Sequence, residues 1–348
     1  MQISARVNVC KRLFRRAAVW GILSVPLLSF AQSYNQGPVF SAIEENDLVV
    51  KTDRHYTQGI KLSYLQRDGV MPELLDRFSK WVPTLGFELG TNKFGYTVGQ
   101  NIYTPADIQQ RQFIPNDRPY AGWLYTGLAL QRRGSAFSDQ VAVLEHLELD
   151  LGVIGPWSLA NEAQTWVHEL RGFATPKGWN HQLHNEPGLD LKFERSWRWP
   201  AVATRPWGID FIPRVGFNLG NVETSARING TVRAGWHLPD DFGPHTIDSI
   251  TLPEGGISPG AEEGENYGVY IFGSAQSKGV AYTAFLDGNL WQASPHVEKK
   301  NYITELSTGI VLQLNPVELG FTYVYRTREF VLQTERDSYG SIFISGRF

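Results

Sequence analysis

From Tyr56 onward the chain alternates: Tyr56, Ile60, Leu62 and Tyr64 fall on one face, Thr57, Lys61 and Ser63 on the other. A period of two is the signature of a β-strand. The same beat returns along the chain. Phe94, Tyr96, Val98 and Ile102 share a face, as do Leu124, Leu128 and Leu130 after the turn residues Asn116-Asp117-Arg118-Pro119. Val141, Val143, Leu147, Leu149, Leu151 and Val153 oppose His146, Glu148, Asp150 and Gly152. The pattern predicts about twelve strands, near 41–51, 55–67, 93–103, 120–132, 141–154, 188–200, 206–219, 223–237, 266–288 (one long or broken strand), 301–313, 315–328 and 338–348. One segment departs from it. Ser158 to Arg171 has helical spacing, with Leu159, Trp166, Val167 and Leu170 able to share a face. Ser158 or Asn161 is placed to cap its start and Gly172 to end it. A short helix is therefore expected in the loop between strands five and six.

Alternation alone fits both a soluble sandwich and a transmembrane barrel, which is the same pattern turned inside out. Other features favour the all-β, antiparallel up-and-down barrel. Tyr56, Tyr64, Trp197, Trp199, Trp207, Tyr323 and Tyr325 lie near expected strand ends, as an aromatic girdle requires. The chain closes on an alternating segment from Tyr339 to a terminal Phe348, similar to the C-terminal recognition strand of outer-membrane barrels. Lys11, Arg12, Arg15 and Arg16 precede an apolar stretch, Ala17 to Phe30, that is too short to span a bilayer. This reads as a signal peptide over 1–31, cleaved after Ala31, with one barrel domain over 32–348. The only cysteine, Cys10, leaves with it, so the mature chain is expected to carry neither disulfide nor thiol nucleophile.

Composition narrows the choice further. Hydrophobic residues make up 42% and charged residues 19%, yet no apolar run is long enough for a spanning helix. A membrane protein of this kind must therefore be a closed barrel. The net charge of −3 gives no reason to expect nucleic acid as a partner. The barrel is expected to act as a monomer in the bacterial outer membrane.

With both termini in the periplasm, the connections after strands one, three and five are extracellular. They carry Thr52-Asp53-Arg54, Gln110-Arg111 with Asp117-Arg118, and the helical loop bearing His168. Three polar clusters thus land on one rim, where an active site can assemble.

At these residues the chain resembles the outer-membrane lipid A 3'-O-deacylases, calcium-dependent barrel enzymes that remove acyl chains from lipopolysaccharide. The likeness rests on Asn46-Asp47, on Asp53-Arg54 with Tyr56-Thr57-x-Gly59, and on Gly99-Gln100-x-Ile102-Tyr103-x-Pro105. Asp117-Arg118 and the run Gly152 to Pro156 leading to His168 complete it. The resemblance implies a twelve-stranded barrel in which His168 activates water and Ca2+ with nearby donors stabilises the oxyanion. Asp47 would be the metal ligand, with Asn46 and Thr57 as catalytic companions. Arg111 falls near a basic position of the family; Lys51 and Arg54 are candidates for pairing with lipid A phosphates. The family pattern also has a glutamate six residues after the histidine. Ala174 stands there in this chain, and Glu186, further along the same loop, is the expected substitute.

The residue types agree with that chemistry. Histidine titrates near neutral pH, where ester hydrolysis needs its base. Calcium takes hard oxygen ligands such as a carboxylate or an amide oxygen. The chain has no Gly-x-Ser-x-Gly elbow, so a serine esterase is not supported. For Asn46 and Asp47 to enter one site a bulge is needed, since a regular strand sends neighbours to opposite faces. Two other readings stay open at this point: a barrel that binds lipopolysaccharide without hydrolysing it, and a pore.

Overall fold

The computed structural model describes residues 37–47, 55–137, 141–204, 206–249, 251–254 and 267–348. The expected signal peptide lies outside them. Twelve antiparallel strands close into a barrel in chain order. They are β1 (Val39–Asn46), β2 (His55–Leu65), β3 (Glu88–Thr104), β4 (Ala121–Ala136), β5 (Val141–Ile154) and β6 (Glu186–Thr204). The circuit continues through β7 (Trp207–Gly220), β8 (Glu223–Trp236), β9 (Tyr267–Thr283), β10 (Tyr302–Leu314), β11 (Val317–Arg326) and β12 (Asp337–Arg347). The seam joins β1 to β12, from Val39 opposite Arg347 to Asn46 opposite Gly340. Three short helices are seen among the described residues: α1 (Glu73–Trp81), α2 (Ala160–Arg171) and α3 (Ala284–Asp287). The stretch expected as one strand over 266–288 is β9 followed by α3, with the break at Thr283.

The alternation sorts inside from outside. Ile60, Leu62, Tyr96, Val98, Leu149, Leu151, Phe217 and Ile310 are exposed on the outer face. Lys61, Glu148, Asp150, Glu194, Arg214 and Arg233 are buried in the lumen. A polar interior inside an apolar belt is the inverse of a soluble fold and is what lipid demands. Inside, charges are paired: Lys61 Nζ lies 3.0 Å from Glu148, whose other oxygen is 2.9 Å from His146 Nε2.

The lumen is also filled. The described part of the β8–β9 connection runs through it. Arg233 ties Asp241 to Asp210 on β7, Arg227 donates to the Asp248 carbonyl, and Arg133 reaches Glu254 at 3.2 Å. The backbone N–H groups of Ile247 and Leu252 donate to Glu45 and Gln131 of the wall. A barrel stoppered by this many ion pairs gives no support to the pore reading.

At the rim that carries the termini, α1 and the residues after it lie against the outside of the wall. They cover a row of three charges: Arg132, Glu145 and Arg195, directly opposite one another on β4, β5 and β6. Glu145 is held by both arginines. The arginines also donate to the carbonyls of Ser79, Val82, Pro83, Thr84 and Leu85. A charge facing hydrocarbon is expensive unless paired and covered, and here it is both.

Candidate functional site

The site begins with an irregularity in β2. Its pairing with β3 passes from Tyr56 opposite Tyr103 to Gln58 opposite Ile102, leaving Thr57 as the extra residue of a bulge. An extra residue inverts the alternation on one side of it. Tyr56 therefore points into the lumen, where its hydroxyl donates to Glu45 at 2.8 Å and its ring packs on Tyr339. Thr57 instead shares the outer face with Gln58, its hydroxyl 2.7 Å from that of Thr104. This corrects two sequence expectations: Tyr56 is not part of a lipid-facing girdle, and Thr57 does not share a face with Lys61 and Ser63. The bulge anticipated in β1 is in its neighbour. In β1, Asn46 sits opposite Gln58 and so faces outward. Strand pairing stops there and Asp47 starts a tight turn; both residues are buried. Lys51 and Arg54 fall in the stretch 48–54, outside the described residues.

Helix α2 covers this outer face. The chain turns at Gly155, passes through a short 3-10 turn, Pro156–Ser158, and enters the helix from Leu159 at φ 57°. Neither expected side chain caps it: Ser158 Oγ donates back to Gly155 O at 2.6 Å, and Asn161 accepts from Thr165. The expected end is found, with Gly172 at φ 75° donating its N–H to the carbonyls of Glu169 and His168. A left-handed residue after the last turn is the usual glycine stop.

The helix presents a polar stripe to the wall. Its buried residues are Ala160, Gln164 and His168, four apart. The apolar residues expected to share a face lie away from the wall: Leu159, Trp166 (66% exposed) and Leu170 face out, with Trp157 just before them. Ala160 packs on Ile102 of β3, Tyr120 and Trp179, and the Trp179 ring nitrogen donates to Gln164 at 2.9 Å. At the other end Arg171 pairs with Glu44 of β1 at 3.4 Å. Twelve residues at 1.5 Å each make a helix of about 18 Å, enough to cross from β4 to β1 at roughly 4.8 Å per strand. His168, one turn from the Arg171 end, is carried toward β1 and β2, where Asn46 and Thr57 face out.

His168 is only 2% exposed, and its Nδ1 lies 2.7 Å from the carbonyl oxygen of Ala174. An amide carbonyl can only accept, so Nδ1 carries the proton and Nε2 is the basic nitrogen. The turn at Gly172 makes this contact, since Phe173 N–H donates to His168 O at 2.8 Å and the chain then folds back. Position 174 thus orients the histidine through its backbone. Glu186 is not brought there. It opens β6, and its carboxylate accepts from Asn221 and from the backbone N–H groups of Leu290 and Trp291.

The β3–β4 connection flanks the same corner. Gln109 donates to Thr175 O at 2.9 Å and Lys177 N–H to Ile108 O at 2.8 Å. Arg111, two residues on, is exposed to solvent. Behind the bulge lies a latch that sequence reasoning missed. His55 bridges Asp337 at 2.7 Å and Asp117 at 3.3 Å, tying the β3–β4 loop to β12. Burial pushes the Asp117 carboxyl up, but the bonds from His55 and from Ala106 N–H outweigh it and hold it below its ordinary range. Glu329 behaves likewise: Arg118 and Arg326 overcome its burial. The sequence signal was a histidine at a strand start near Asp117, too common a pairing to single out.

Among the described residues no three His, Cys, Asp or Glu side chains gather as a metal cage. A cation here would rest on Asp47 and neutral oxygens.

A family model described as the outer membrane protein LpxR matches residues 17–348. No curated protein matches the sequence. Among solved structures, LpxR from Salmonella typhimurium aligns with TM-score 0.69 at 19% identity, over 89% of this chain and 100% of that one. The β domain of the Bordetella autotransporter BrkA aligns over 90% of this chain and 99% of that one, at 11% identity and TM-score 0.43. The first likeness bears on the fold; the second is too distant to bear on anything more.

Proposed function

We propose that this chain, which belongs to the LpxR outer membrane protein family, is a lipid A deacylase. It would hydrolyse an ester-linked acyl chain, the 3'-O chain by family resemblance, from lipopolysaccharide in the outer leaflet. One observation carries the reading. A basic histidine nitrogen is held against the outer wall of the barrel, under a helix whose other side is apolar. A water-soluble substrate would call for a site in the mouth or lumen. A lipid ester calls for one on the outside.

The residues supply the parts of a hydrolysis. His168 Nε2 takes the proton of the attacking water and returns it to the departing sugar alkoxide. Ala174 O keeps the ring in the required tautomer throughout. The amide of Asn46 and the hydroxyl of Thr57, both on the outer face, would donate to the ester oxyanion. Asp47 carboxylate, with the side-chain oxygens of Asn46 and Thr57, would supply hard-oxygen donors of the kind Ca2+ takes in preference to a softer metal. When bound there, Ca2+ would polarise the ester carbonyl. Arg111, exposed beside this corner, is available for a lipid A phosphate, for which a guanidinium is well shaped.

Mass spectrometry of lipid A from membranes incubated with the purified barrel tests the proposal. Loss of one hydroxyacyl chain, dependent on His168, is expected. Intact lipid A with saturable binding would replace the enzyme by a binder.

A further inference from the structure

We propose that α1 is an interfacial membrane helix, its Leu74, Phe78 and Trp81 face embedded in the phospholipid leaflet at the rim that carries the chain termini. With 3.6 residues per turn, α1 divides into three faces. Leu75, Ser79 and Val82 form one, turned to the wall: Ser79 is fully buried and accepts from Asn92 of β3 at 3.2 Å. Glu73, Asp76, Arg77 and Lys80 form a second, paired as Glu73–Arg77 and Asp76–Lys80 in solvent. Leu74, Phe78 and Trp81 form the third; Leu85, beyond the helix end, is a further exposed apolar residue on the same rim. Leu74 and Trp81 are each 79% exposed and Leu85 73%.

What covers this third face follows from where the helix is fastened. Arg132 and Arg195 hold its last turn and the residues after it to the outside of the barrel. The same outward row of β3 and β4 continues, a few residues along, into the lipid-facing Tyr96 and Leu128. The apolar face is thus continuous with the belt that already meets lipid. The charged face lies away from it, as in helices that rest roughly 5–10 Å into the headgroup–acyl boundary. A tryptophan at the end of such a face is the residue type that favours this depth. The inference concerns membrane contact and does not rest on the hydrolytic reading.

Site-directed spin labelling tests it. The chain's only cysteine is Cys10, so in a Cys10→Ser chain single labels can be placed by Leu74→Cys, Leu85→Cys and Arg77→Cys. All three side chains are exposed, and the barrel should fold in each, which a heat-modifiable gel shift verifies. In phosphatidylethanolamine–phosphatidylglycerol vesicles, labels at 74 and 85 should collide with oxygen more than with a soluble nickel chelate. The label at 77 should show the reverse. Equal, water-like accessibility at all three positions would overturn the proposal. So would concentration-dependent spin–spin broadening at 74, which would make the face a contact between two copies of the chain.

Discussion

Two helices lie on the outside of this barrel, at opposite rims, and each shelters polar side chains where lipid would otherwise be. Under α1 the sheltered group is Arg132–Glu145–Arg195, an ion-paired row whose remaining donors are taken up by backbone carbonyls. Under α2 it is a histidine, held at one ring nitrogen by a neutral carbonyl. In the first arrangement the carboxylate is paired with a guanidinium on each side, and both arginines are further held by carbonyls. In the second a neutral carbonyl fixes the histidine's tautomer and leaves Nε2 as the basic nitrogen. The two helices thus shelter different chemistry: a paired set of charges under α1, and under α2 the imidazole base of the proposed site.

Changing one residue in each place sharpens this contrast. His168→Ala should lower deacylation by about 10²–10⁴-fold, the usual contribution of a general base, while the barrel keeps its heat-modifiable migration. A folded His168→Ala barrel with full turnover would remove the histidine from the chemistry. Asp47→Ala, or exhaustive chelation, should cost activity by roughly 10²-fold, the lower end of what loss of one oxyanion stabiliser does. Hydrolysis that persists unchanged in strong chelator would leave Asp47 without a metal role.

Glu145→Ala should do the opposite of His168→Ala. It leaves two arginines on the lipid side with carbonyls alone, and should lower stability by about 3 kcal/mol. Turnover per folded barrel should stay the same. Denaturant midpoints with parallel assays decide this, and a loss of turnover without a loss of stability would erase the distinction between the two rims. The smallest effect belongs to the position where the family pattern has a glutamate. Because the Ala174 backbone already orients His168, Ala174→Glu should shift the rate by no more than about threefold, near 0.7 kcal/mol. Glu186→Gln, remote from the histidine, should be similarly quiet. A large gain from Ala174→Glu would show that a negative charge, and not only the tautomer, is missing in this chain.

The barrel was legible because its alternation is regular. β5, expected at 141–154, is observed at Val141–Ile154. The terminal strand pairs β1 as a closed barrel needs. The bulge at Thr57 was not legible, since a period of two reads smoothly through Tyr56 and only the pairing partner on β3 reveals the slip. The same blindness assigned Tyr56 to the wrong face. The apolar positions of α2 were read correctly as one side of a helix. Which way that side faces was not legible, and in the structure Leu159, Trp166 and Leu170 are exposed. Helix α1 was missed: it is only nine residues long, Glu73–Trp81, too short to stand out among the strands despite its sorted faces. The lumenal stopper over 237–254 carries almost no regular structure, and its place follows only from the charges that receive it.

The seam of the barrel sets when the molecule can begin to work. Asn46 is paired on one side with Gln58 and on the other with Gly340, eight residues from the chain end. The strand that carries Asn46 and leads into Asp47 therefore gains its second neighbour only when the last strand arrives. In a chain still open, β1 would lack its β12 neighbour and α2 a complete wall to lie on. On the proposed function, hydrolysis would thereby be reserved for the finished barrel in the outer membrane. A trapped, unclosed chain that still hydrolysed soluble lipid A would break this coupling of assembly to action.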